Sequence, residues 1–132
     1  MKFSTRTTYG LRAMIILASD NQKKISLPSI AAKEKISGGY LEKIFADLKK
    51  AKLVESVKGS RGGYSLSRSS KRIEVYEIIN SLEGAQANFH CLDSGGKVYC
   101  HPGCSCGSIK VMMKVQDAVN KALKDIKLSD LT

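Results

Sequence analysis

The sequence predicts a mainly α-helical fold carrying one small β-hairpin. Three observations lead there. Two short helical segments flank a tight turn at residues 36–39, a strand–glycine turn–strand pattern follows them directly, and an apolar stripe runs through about residues 108–126. Together they describe a winged helix-turn-helix with a long C-terminal dimerisation helix.

Residues 5–19 read as a helix, because Tyr9, Ala13, Ile16 and Leu17 recur at helical spacing and Ser4 or Thr5 can cap the free amides at its start. After the polar Asn21-Gln22, Ser26 is an N-cap for a second helix over about residues 27–35. Pro28 fits its first turn, where the missing N–H has no intrahelical partner, and Ile30 and Ala31 face inward. Ile36-Ser37-Gly38-Gly39 breaks the pattern. Ser37 then caps a third helix over about residues 39–51, with Leu41, Ile44, Phe45 and Leu48 on one face and Glu42, Lys43, Lys49 and Lys50 on the other. Such a pair alone is a weak signal, since many helical domains contain one.

The next segment sharpens it. Leu53–Val57 alternates like a strand, Lys58-Gly59-Ser60-Arg61-Gly62-Gly63 is a glycine-rich turn with two cations, and Tyr64–Ser67 alternates again. A hairpin placed directly after a basic helix is a wing, and Arg61 on a thin loop can enter a minor groove. A fourth helix covers about residues 75–83 through Val75, Ile78, Ile79 and Leu82, with Gly84 as its stop. Residues 85–107 show little periodicity. The last helix carries Met112, Val115, Val119, Ala122 and Ile126, widened by Val111, Ala118 and Leu123, a stripe too long for one small domain to cover. Its expected partner is the same helix of a second subunit. The chain accordingly divides into a DNA-binding unit (residues 1–83), a cysteine-rich sensor loop (84–107) and a dimerisation helix with its tail (108–132).

Charge is uneven. The net charge is +10, with 16 Lys/Arg against 5 Asp/Glu in residues 1–72 and 6 against 7 in residues 73–132. A solvated surface explains a small excess, but one this concentrated points to a polyanion, double-stranded DNA above all. No run approaches the roughly 20 apolar residues needed to cross a bilayer. The opening residues lack a signal-peptide pattern, so a cytoplasmic setting with reduced thiols and no membrane partner is expected. The glycine turn lacks the lysine–Ser/Thr ending of a phosphate loop, and no carboxylate pair or Ser-His pairing appears, so an enzyme is not expected.

Every Cys and His falls between residues 90 and 106: His90, Cys91, Cys100, His101, Cys104 and Cys106, among Gly95, Gly96, Pro102, Gly103 and Gly107. Four readings stand. A disulfide is disfavoured by a reducing compartment. Zinc suits the ligands, although paired knuckles two residues apart are missing. A metal-free thiol switch is open, because thiols near cations ionise more readily. An iron–sulfur cluster takes three or four thiolates from such a loop. Spacing alone does not separate zinc from iron–sulfur.

The opening Met1–Ala13, Tyr40-Leu41-Glu42, Val57-Lys58-Gly59 through Arg61-Gly62-Gly63-Tyr64 and the ending Ile126–Leu131 resemble the IscR/NsrR/CymR family of bacterial winged-helix regulators (the Rrf-two family) over nearly the whole chain. The resemblance implies a dimeric, DNA-binding transcriptional regulator with a cysteine-held iron–sulfur cluster sensing cluster status or redox and nitrosative stress. It implies Cys91, Cys100 and Cys106 as ligands, with a longer first gap than the family pattern and Cys104 as an extra. The usual fourth ligands are absent, because Ile109 stands at the IscR-like His place and Thr8 at the NsrR-like Asp place. Cys104, His101, His90 or an exogenous group remain as the fourth. CymR-like members lack a cluster and work through a protein partner, so a cluster-free regulator of sulfur metabolism, controlled by a partner or by thiol oxidation, is the alternative, beside a zinc-binding interaction protein. The resemblance places Ser37, Tyr40, Glu42 and Lys43 at the DNA, with Arg61 at the wing tip. Glu42 can accept from a cytosine amino group. Tyr40 can equally be a packed aromatic and Glu42 a solvated charge. Gly38 and Gly39 replace bulkier residues expected there.

Overall fold

A computed structural model describes residues 3–20, 24–59, 62–83 and 107–132. The described elements are α1 (Thr5–Ser19), α2 (Leu27–Glu34), α3 (Gly38–Lys50), β1 (Val54–Val57), β2 (Gly63–Leu66), α4 (Val75–Glu83) and α5 (Gly107–Asp125). Two short 3₁₀ turns, Ser70–Arg72 and Leu128–Leu131, complete them.

Three serines set the first three helix starts. Ser4, Ser26 and Ser37 lie in extended backbone and accept hydrogen bonds from Thr7, Ser29 and Tyr40 N–H, satisfying amides that have no intrahelical partner. Helix α2 ends at Lys35 in the left-handed region (φ 55°), which turns the chain into α3 within three residues.

The core forms where these helices meet. Leu41, Ile44, Phe45 and Leu48 of α3 are fully buried, with Ala13 and Met14 of α1, Ile30 of α2 and Ile78 of α4. Strands β1 and β2 pair antiparallel from Val54 opposite Leu66 to Val57 opposite Gly63. Gly59 takes φ 121°, and its carbonyl accepts from Gly62 N–H at 2.9 Å to close the turn. A Cβ on Gly62 would lie 2.7 Å from the Val57 carbonyl oxygen, so the close approach requires glycine there. The hairpin is seated by Tyr64, whose ring lies 4.8 Å from that of Phe45 and whose backbone exchanges two hydrogen bonds with Ile25.

Helix α1 bridges the rest. Gly10 brings its backbone against α4 and α3, since a Cβ there would sit 2.2 Å from Leu82 Cδ1 and 3.3 Å from Ile44 Cγ2. At its N-terminus, Glu83 accepts from Ser4 N–H at 2.8 Å and from the Ser4 hydroxyl at 3.1 Å. Partial burial pushes the Glu83 carboxyl up, but bonds from the Thr7 hydroxyl and from Ser4 outweigh it and hold it below its ordinary value.

Helix α5 buries Ile109 and Gln116, while Met112, Val119 and Leu123 are half-buried and Val111 is 64% exposed. After it the chain turns back. Leu128 is fully buried in the main core, its N–H donates to the Ile73 carbonyl at 2.9 Å, and Lys127 Nζ meets Glu74 at 2.9 Å. The C-terminal residues thus close over the start of α4.

Two outcomes follow. Gly10→Val overfills the α1–α3–α4 contact and lowers folding stability by about 1–3 kcal/mol in urea denaturation. Glu83, with a folded value below the unfolded one, contributes stability above its ordinary value that is lost as pH falls through the folded value. The difference in stability between wild type and Glu83→Gln therefore shrinks as urea titrations move from about pH 6 to about pH 3.

Candidate nucleic-acid interface

The outward face of α3 is set by its inward one. With Leu41, Ile44, Phe45 and Leu48 buried, a helix advancing one residue per 100° turns Glu42, Lys43, Ala46, Lys49 and Lys50 to solvent, and all five are exposed. Lys49 Nζ bonds the Ser56 hydroxyl at 2.8 Å, joining the end of α3 to β1. Helix α3 and the hairpin are therefore held together through both Lys49 and the Phe45–Tyr64 contact.

The residues singled out from sequence take distinct places. Ser37 is exposed and acts as the N-cap of α3. Tyr40 is half-buried, its ring edge-on to Tyr9 with centroids 6.2 Å apart. Its ring thus serves packing between α1 and α3. Glu42 and Lys43 stand on the exposed face. Gly38 and Gly39 are exposed, and a Cβ on either would meet nothing within 4 Å. Arg61 falls between β1 and β2 in the chain and lies outside the described residues, as do Cys91, Cys100, Cys104, Cys106 and His101. Among the described residues no group of three potential metal ligands occurs. Thr8 is exposed on α1 and Ile109 is buried in α5, and neither side chain can ligate iron.

The charge excess divides into two populations. Arg6 pairs with Asp47, Arg12 Nε lies 2.7 Å from Glu34, and Arg68 lies 2.5 Å from Glu77 while also donating to the Lys52 and Arg72 carbonyls. The first two join α1 to α3 and to α2, and the third joins the connection after β2 to α4. Lys33, Lys35, Lys43, Lys50, Lys58 and Lys71 are exposed and have no acidic partner among the described residues. Sequence counting did not separate the two groups. Arg6 and its tie to α3 were missed altogether, because the partners are 41 residues apart and carry no local pattern.

A sequence profile described as Rrf2, iron-dependent transcriptional regulator, matches residues 3–132. The chain belongs to the Rrf2 family. An HTH-type transcriptional regulator IscR of Vibrio atlanticus is 31% identical over 132 residues, covering 99% of this chain and 75% of that protein. Among solved structures, IscR of T. potens superposes with a TM-score of 0.80 at 35% identity, covering 99% of this chain and 85% of the other. CymR of B. subtilis, termed the global cysteine regulator, gives a TM-score of 0.80 at 32% identity, with coverage of 99% and 95%. As an Rrf2 protein the chain is a DNA-binding transcriptional regulator with the winged-helix architecture of IscR and CymR. No helix among its described residues is long and apolar enough to cross a membrane.

Proposed function

We propose that this Rrf2 regulator acts as a homodimer whose cysteine-bearing segment, residues 84–107, senses iron–sulfur or redox status and adjusts DNA binding by residues 1–83. One observation carries the reading. All four cysteines and both histidines lie between residues 90 and 106, bracketed by the packed helices α4 and α5. That donor set fits an iron–sulfur cluster, with Cys91, Cys100 and Cys106 as ligands and Cys104 or His101 as the fourth. A cluster held there supplies a redox-sensitive group whose loss frees the thiolates. The exposed apolar residues of α5, Val111, Met113 and Val115, support a second copy of the same helix as its cover. Within each head, Lys43 meets phosphate, Glu42 meets a base edge, Ser37 fixes the helix start beside the backbone, Tyr40 braces it, and Arg61 reaches from the wing.

The second reading is a cluster-free regulator controlled by thiol oxidation or a protein partner. Ile109 and Thr8 at the two family positions for a fourth ligand favour it, as does the likeness to CymR, one of whose relatives is described in an oxidised form. Zinc in place of iron is the third arrangement of the same donors.

Anaerobic purification with an absorption spectrum and iron, sulfide and zinc analysis separates the three. The Cys100→Ala/Cys106→Ala double variant is expected to lose the visible absorbance and the iron. A colourless wild type with stoichiometric zinc supports the zinc arrangement instead. For the DNA contacts, Lys43→Ala and Arg61→Ala each lower the salt dependence of operator binding by about one unit of log K against log salt. An unchanged slope in both variants removes them from the interface.

A further inference from the structure

One turn of α1 is bonded on one side to the last residue of α4 and on the other to the recognition helix. Toward α4, the Glu83 carboxylate accepts from Ser4 N–H at 2.8 Å, from the Ser4 hydroxyl at 3.1 Å and from the Thr7 hydroxyl. Toward α3, Arg6 donates to the Lys43 carbonyl at 3.4 Å and pairs with the Asp47 carboxylate. One turn on, Gly10 leaves no room for a Cβ between Leu82 and Ile44. The same helix therefore touches Leu82 and Glu83 on one side and Lys43, Ile44 and Asp47 on the other. The Gly10 contact with Leu82 and Ile44 is close-packed, and such a contact passes a displacement on and does not absorb it.

Glu83 is also the last residue before the segment that carries every Cys and His. We propose that Glu83, Ser4, Thr7 and Arg6 form a relay through which the state of the cysteine segment sets the position of α3, with Glu83 as its latch. The inference rests on the sensor reading above and names its route. With the latch closed, Ser4 accepts from Thr7 N–H at 3.2 Å and donates to Glu83, so one hydroxyl both caps α1 and ties it to α4. Drawing Glu83 away leaves the Thr7 hydroxyl, on a residue only 2% exposed, without its acceptor, a costly state, while the exposed Ser4 N–H turns to water. The first turn of α1 then shifts to find new partners and carries Arg6 with it. The Lys43 carbonyl loses its donor, and the outward residues Glu42 and Lys43 change their placement on α3.

Charge alone predicts the opposite sign. Glu83 is an anion in a protein that binds a polyanion, so neutralising it would strengthen DNA binding if electrostatics were its whole effect.

The test uses the full chain, purified anaerobically, and a duplex selected by the wild type from a random-sequence pool. Affinity is measured for wild type, Glu83→Gln, Arg6→Gln and the double variant, each with native cysteines and with Cys91, Cys100 and Cys106 changed to Ser. Glu83→Gln and Arg6→Gln are each expected to weaken binding about 3- to 10-fold, with the double variant no weaker than either alone. The ratio of affinities between the native and Cys→Ser backgrounds is expected to fall toward one in Glu83→Gln. Strengthened binding, additive losses or a ratio retained in Glu83→Gln overturns the relay while leaving the sensor reading intact. A purely structural role weakens both backgrounds alike, keeps the ratio and likewise overturns it. A wild-type ratio of one overturns the sensor reading together with the relay. Should Glu83→Gln fail to fold, Ser4→Ala removes one of the three donors and is expected to lower the ratio part of the way, and an unchanged ratio there overturns the relay.

Discussion

Burial of a single stripe on α3 orients the whole outward face of that helix. Leu41, Ile44, Phe45 and Leu48 are fully buried against α1, α2 and the wing, so the rotation of α3 about its own axis is fixed by four side chains. Each of them, removed from water, contributes about 1.5–3 kcal/mol, and together they leave the helix one way to lie. Phe45 then seats Tyr64 and with it the hairpin, and Ile44 faces the bare backbone of Gly10. The outer residues of α3 take no part in this packing.

What the sequence revealed and what it hid divide along one physical line. Helix starts depend on a serine and the amides three residues on, so Ser4, Ser26 and Ser37 marked them, and the helices fall within a residue or so of expectation. The exposed face of α3 came from its apolar period alone. The Ile25–Tyr64 bridge, the burial of Leu128 and the Ser4–Glu83 bonds did not, because each joins residues far apart in the chain and leaves no local period. Tyr40 illustrates the boundary. Its position at the front of α3 was visible, but its packing on Tyr9 depends on how α1 crosses α3, which no window of sequence contains.

The split between arginine and lysine explains how one surface stays both rigid and adaptable. Arg6, Arg12 and Arg68 each hold a carboxylate on another element, as the planar guanidinium favours. The exposed lysines are flexible point charges on long stems, suited to phosphates whose positions vary with sequence. Such contacts raise affinity for any duplex and carry little base information.

The groups proposed to read sequence are few. The front of α3 offers two glycines whose missing side chains open space on the outside and are required by nothing inside. Glu42 stands on the outer face one turn further along, and Arg61 sits in the hairpin connection. The proposed interface names few base-reading side chains in each head, and each good base contact contributes about 1–3 kcal/mol. Two heads held at a fixed spacing multiply that discrimination, because both half-sites must match at once. In the proposed dimer, selectivity rests on the spacing and orientation of two such heads, and the proposed relay through α1 would act by a small shift of α3.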